Sequence, residues 1–179
     1  MRWTVHGERT LYDSEWVRLA LVDVEIPGGP RFEHHVVRVP RPAAGAVVFD
    51  PERGILLLWR HRFITDSWGW EIPGGGVDEG ETPAEGAARE VLEESGWRPG
   101  PLHPLATYHP SNGLNDQTFH VFVADGAEYV SLPTDASESE RIEWLPLADV
   151  KAQLRSGGVR DGLSLSALSM ALLFELPAT

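Results

Sequence analysis

Three glutamates, Glu90, Glu93 and Glu94, fall at spacings that gather them on one side of a helix. Like charges so placed destabilise a helix by a few tenths of a kcal/mol per pair. A hard divalent cation with oxygen ligands is the natural compensation. Arg89, four residues before Glu93 and four after Glu85, can orient a carboxylate without being a ligand. On their own, three glutamates read most simply as a solvated acidic face with an intrahelical salt bridge. The residues around them change that reading.

Pro73-Gly74-Gly75-Gly76 precedes the acids and is read as a loop without regular structure, where backbone can approach a ligand. Thr82-Pro83-Ala84-Glu85 has the form of a capping box with proline at the first helical position. The helix is predicted from about Pro83 to Ser95, with Gly96 as its stop. Ala84, Ala88, Val91 and Leu92 form its expected apolar side, with Gly86 leaving the acidic side open.

Taken whole, Gly75, Glu81 and the run Arg89-Glu90-Val91-Leu92-Glu93-Glu94-Ser95-Gly96-Trp97 resembles the Nudix box at each fixed position. A chance match is on the order of one in ten million per start point. Trp97, where the family usually has an aliphatic residue, is the one soft departure. The resemblance implies an α/β fold, the Nudix α/β/α sandwich with a mixed sheet. It also implies metal-dependent hydrolysis of a nucleoside diphosphate linked to another group X. Glu90, Glu93 and Glu94 would hold two or more Mg²⁺ (or Mn²⁺), with the Gly74 carbonyl as a further ligand. Gly75, Glu81, Arg89 and Gly96 would be structural, Glu81 and Arg89 pairing to hold the loop against the helix. Glu94, Glu93 and Glu138 are the candidate catalytic residues. Either Glu138 or a box glutamate would take the proton from water.

The chain before the box resembles the ADP-ribose pyrophosphatase branch, in its N-terminal strands and in Arg60-His61-Arg62-Phe63 followed by Trp70-Glu71-Ile72-Pro73. That likeness implies Arg62, Trp70 and Glu71 as substrate-binding residues and ADP-ribose or a related sugar nucleotide as substrate. Nucleoside triphosphates, dinucleoside polyphosphates, and a non-catalytic nucleotide sensor are the alternatives. The loop Pro110–Gln117 resembles that branch's post-box loop but departs from it through Ser111-Asn112 and Gln117. An acidic loop in related pyrophosphatases can supply the glutamate that activates water; here Glu138 and Glu140 are the candidates, Glu138 ahead.

The elements expected to position these groups begin with three antiparallel strands, Trp3–Arg9, Trp16–Ile26 and Arg31–Val39, with a turn at Tyr12-Asp13-Ser14. They form an N-terminal antiparallel strand layer, residues 1–40, appended to a Nudix domain at 41–179. The domain's strands are Ala43–Phe49, Gly54–Trp59, Pro104–His109, Thr118–Ala124 and Ile142–Leu145, and its later helices Leu147–Arg155 and Ser164–Glu175. Dimeric relatives suggest a homodimer through the N-terminal strands.

Composition narrows the rest. At 179 residues and 42% hydrophobic, the chain can bury one sizeable core. The formal net charge of −12 gives no electrostatic case for nucleic-acid or anionic-membrane binding. A small nucleotide can still bind if cations reverse the local field. No apolar run is long enough to span a membrane, and MRWTVHGERT does not read as a signal peptide. The absence of cysteine excludes disulfides and thiolate chemistry, and is compatible with a cytoplasmic location. His34 and His35, adjacent on a strand, must point to opposite faces and cannot chelate one ion together. Trp68 and Trp70 could stack on a base, but core packing is the expected role for at least one of them.

Overall fold

The computed structural model describes residues 1–134 and 138–176. The chain divides into two compact units, Met1–Pro42 with His109–Thr118, and Ala43–Tyr108 with Phe119–Thr179. The boundary differs from the expected 1–40 and 41–179, because residues 109–118 go with the strands rather than with the larger unit.

In the first unit, β1 (Thr4–Asp13), β2 (Arg18–Glu25) and β3 (Arg31–Arg38) form an antiparallel sheet in that order. β2 lies in the middle and buries Ala20, Leu21, Val22 and Val24, while β1 is exposed along its whole length. The turn expected at Tyr12-Asp13-Ser14 lies further on. Irregularities in the β1–β2 ladder allow Tyr12 and Asp13 to pair with Leu19 and Arg18, and Ser14 then bonds Val17 to close the connection. The 109–118 loop is held along β3: Val37 N–H donates to the Leu114 carbonyl, and Arg38 donates to Asp116.

The second unit is built on a mixed sheet ordered β12 (Arg141–Leu145), β5 (Gly54–Arg62), β4 (Ala43–Asp50), β10 (Phe119–Asp125) and β9 (Leu102–Tyr108). β4 and β10 are parallel, and their neighbours are antiparallel. β6 (Ser67–Glu71) extends the pairing from β5. Alternate residues of β4 serve two cores. Val47 packs with Ile55, Leu57, Val121 and Leu168; Ala44, Ala46 and Val48 pack with Leu56, Ala87 and Val91. With both faces covered, the strand reads as one continuous apolar run. Helix α1 (Pro83–Ser95) covers one face, and α2 (Leu147–Ser156) with α3 (Gly162–Phe174) the other. This is the expected α/β/α sandwich.

Three local expectations are corrected. Gly74–Gly76 is a short strand, β7, paired antiparallel to β4. The glycines make that pairing possible: a Cβ on Gly74 would stand 2.7 Å from the Ala44 carbonyl oxygen. β5 continues past Trp59 to Arg62, which places Arg60 and Arg62 on the same side of the sheet. Asp161 caps α3 by accepting from the Ser164 N–H at 2.7 Å, so this helix begins at Gly162. A small sheet of β8 (Trp97–Pro99) and β11 (Ala127–Tyr129) was not anticipated. Among the described residues no helix is long and apolar enough to cross a membrane.

Candidate active site

Helix α1 has the predicted ends. Thr82 accepts from the Glu85 N–H, Glu85 accepts from the Thr82 N–H, and Gly96 takes the left-handed conformation at φ 77°. Its faces differ from the expected ones. The buried stripe is Gly86, Ala87, Val91, Glu94 and Ser95, while Ala84, Ala88 and Leu92 are half-buried. Positions 87, 91 and 94 follow helical spacing, so Glu94 belongs to the core-facing stripe. Gly86 is packed against Val77 and Glu81 rather than lying open.

A carboxylate 3% exposed needs partners, and Glu94 has two. Arg60 Nη2 donates to Oε1 at 2.7 Å, and the Gly74 N–H donates to Oε2 at 2.8 Å. Burial outweighs Arg60 and lifts the Glu94 carboxyl to about 7. Burial also raises Glu90, against the pull of Arg89. The Glu90 carboxylate lies over Gly75, where a Cβ would meet it at 2.6 Å.

Arg89 ties the loop to the helix as expected. It donates to Glu81 at 2.9 and 3.1 Å and to the Gly76 carbonyl at 2.8 Å. Its Nη1 also donates to Glu90 and Glu93, each at 2.9 Å. Glu81 is held below its ordinary value by Arg89 and by the Asp78 N–H. The box is thus laced through one guanidinium, which draws Glu90 and Glu93 to a single nitrogen.

Arg62 and Glu71 form a second centre. Glu71 is buried at 4% and accepts from Arg62 at 2.6 to 3.2 Å. They line a cleft of about 70 Å³ with Gly74, Gly75, Asp161 and Ser164. Glu138 is exposed, with Oε2 3.8 Å from Arg60 Nη1; Glu140 is exposed, its N–H bonded to the Trp59 carbonyl. The sequence reading of Trp70 as a substrate contact does not fit its surroundings. Trp70 is 5% exposed and packs in the core against Trp59, with ring centroids 5.2 Å apart. Trp68 is the exposed member of the pair and stacks on Trp59. Asp135 of the acidic loop lies outside the described residues.

Arg60 is the residue that sequence reasoning missed. Its signal was the strand parity it shares with Arg62, visible only once β5 is known to run through both. Asp161 and Ser164 were likewise unread, since their place in the cleft depends on where α3 starts.

Among the described residues no three carboxylates or histidines converge at ligand distance in this arrangement. The donor set nonetheless fits a hard cation: oxygens only, with Glu90 and Glu94 desolvated beside the glycine strand.

A family model described as a NUDIX domain matches residues 39–163. The chain belongs to the Nudix family. A hydrolase of CMP-5'-(N-acetyl-N-hydroxy-3-aminopropyl)phosphonate from Streptomyces rubellomurinus is 46% identical over 171 residues, covering 95% of this chain and 82% of the relative. An ADP-ribose pyrophosphatase from Bacillus subtilis is 28% identical, covering 94% and 92%. The crystal structure of an ADP compounds hydrolase superposes with a TM-score of 0.84 at 23% identity, covering 96% of this chain and 92% of that one. That likeness shows a shared fold. With its family and its hydrolase relatives, the protein is a Nudix pyrophosphohydrolase.

Proposed function

We propose that this enzyme hydrolyses the anhydride between a nucleoside 5′-monophosphate and a second phosphorus centre, phosphate or phosphonate. Water adds to one phosphorus and the bridging oxygen leaves with the other, giving the nucleoside monophosphate and X-phosphate or X-phosphonate. The observation that carries this reading is the desolvated Glu94 carboxylate, held at the glycine strand beside the Arg62–Glu71 cleft.

Glu90, Glu93, Glu94 and the Gly74 carbonyl would hold two or more Mg²⁺ or Mn²⁺. Bound there, such ions polarise phosphoryl oxygens, offset developing charge and acidify water. Arg62, bonded to Glu71 and held charged by it, would receive a phosphate. Glu138 is the proposed proton acceptor, an exposed carboxylate whose Oε2 lies 3.8 Å from Arg60 Nη1.

The 46% relative favours a cytidine nucleotide joined to a phosphonate, and the 28% relative favours ADP-ribose. The higher identity of the first, over an alignment of the same length, supports taking the phosphonate class first. Nucleoside triphosphates and dinucleoside polyphosphates complete the panel. The test is product analysis by ³¹P NMR with Mg²⁺ across these four classes. Preferential release of CMP from a CMP-linked phosphonate is expected, and preference for triphosphates would overturn the reading.

A homodimer through the N-terminal strands belongs to the same proposal. β1 is an edge strand exposed along all ten residues, a form that invites pairing with a second copy. Light scattering at micromolar concentration should give twice the chain mass; a monomer mass would sink it.

A further inference from the structure

The buried guanidinium of Arg60 is not used by the reaction proposed above, yet it joins two of its parts. It is 3% exposed on β5. Nη2 donates to Glu94 Oε1 at 2.7 Å and to Ser139 Oγ at 3.0 Å. Nε donates to the same hydroxyl at 3.3 Å, and Nη1 lies 3.8 Å from Glu138 Oε2. One residue earlier on β5, the Trp59 carbonyl accepts from the Glu140 N–H at 2.9 Å. The connection from α1 is fastened as well: Thr134 N–H donates to the Glu93 carbonyl at 2.9 Å.

We propose that Arg60 is a positioning residue, setting the Glu138 carboxylate in register with Glu94 by bonding Glu94 and Ser139 at once. The chemistry of the side chain supports this. A planar fork with five donors can hold two acceptors in fixed relation, whereas the single ammonium of a lysine cannot reproduce that geometry. Stability alone does not account for the arrangement, because buried ion pairs seldom outperform well-packed apolar residues of similar volume. Neutralising Glu94 would not need the bonds to Ser139. This inference rests on the reading of Glu94 and Glu138 as parts of the reaction centre.

The test compares Arg60→Lys, Ser139→Ala and the double variant, each checked for folding by circular dichroism. Two readouts are used: kcat and KM on whichever nucleotide the wild type hydrolyses, and amide exchange at Glu140 by NMR in metal-free protein. Arg60→Lys should lower kcat about ten- to a hundredfold, the scale expected from misplaced groups, with KM held within about twofold. Ser139→Ala should lower kcat less, and both should speed exchange at Glu140. The double variant should be no slower than Arg60→Lys, since both break one link. If Arg60→Lys does not fold, Ser139→Ala decides through both readouts. Unchanged kcat and unchanged Glu140 exchange in Ser139→Ala, or effects that simply multiply in the double variant, would overturn the proposal. Wild-type protein that hydrolyses no nucleotide would defeat the proposed function instead, and Glu140 exchange would still judge the role of Arg60.

Discussion

The two units use charge in opposite ways. On the strand unit, Arg9 bonds Glu33, Arg31 bonds Asp23 and Arg38 bonds Glu8, with every partner between about a third and three-fifths exposed. On the sandwich unit, Arg60 and Glu94 are both buried, and Glu71 is buried against Arg62. Exposed pairs lose most of their Coulomb energy to water and salt. Buried ones must be satisfied almost completely or they destabilise the fold. Charge kept in the second setting, despite its cost, is where we propose that the chemistry takes place.

The contrast can be broken most sharply at the glycines. The atoms nearest a Cβ on Gly75 are the end of the flexible Glu90 side chain, whereas one on Gly74 meets the Ala44 backbone. Gly75→Ala should therefore displace the Glu90 carboxylate and lower kcat about a hundredfold, with the unfolding midpoint little changed. Gly74→Ala should instead lower the midpoint by forcing β7 from β4. Equal losses of stability in both variants would remove the distinction.

Next in size is a pH effect. The Glu94 carboxyl is raised to about 7 in the folded protein, above its ordinary 4.5. Its contribution to metal-free stability is full below pH 4.5 and is lost as pH rises through 7. Urea unfolding should show a loss on the order of 2 kcal/mol between pH 5 and pH 8. Glu94→Gln should flatten that slope, and an unaltered slope in the variant would assign the titration elsewhere.

Smaller still, Glu71→Gln weakens the buried acceptor for Arg62, and KM should rise about tenfold with kcat less affected. At the bottom of the scale, Arg9→Ala removes an exposed pair. It should leave the urea midpoint and kcat within error, and a measurable loss of activity would show that the charges of the strand unit matter to catalysis.

What could be read in the sequence follows the same division between local and distant causes. The ends of α1 were legible because Thr82, Glu85 and Gly96 act on backbone groups within one turn. The Glu81–Arg89 link was legible once the box resemblance was set beside a residue spacing that spans a short loop. β7 was not, since three glycines carry no alternation and their pairing depends on Gly45 of another strand. The bond from Arg38 to Asp116 joins residues 78 apart, so the pattern of the 109–118 loop does not reveal that it runs with β3. Arg60 stayed hidden because its partners come from α1 and from the segment before β12.

The proposal that Glu94 anchors a cation-dependent hydrolytic site is tested by pairing Mg²⁺ or Mn²⁺ binding calorimetry with hydrolysis of a CMP-linked phosphonate in wild type and Glu94→Gln. A folded variant that binds the cation more weakly and has lost at least about a thousandfold in turnover is expected. A folded Glu94→Gln enzyme with wild-type turnover and cation affinity would contradict it.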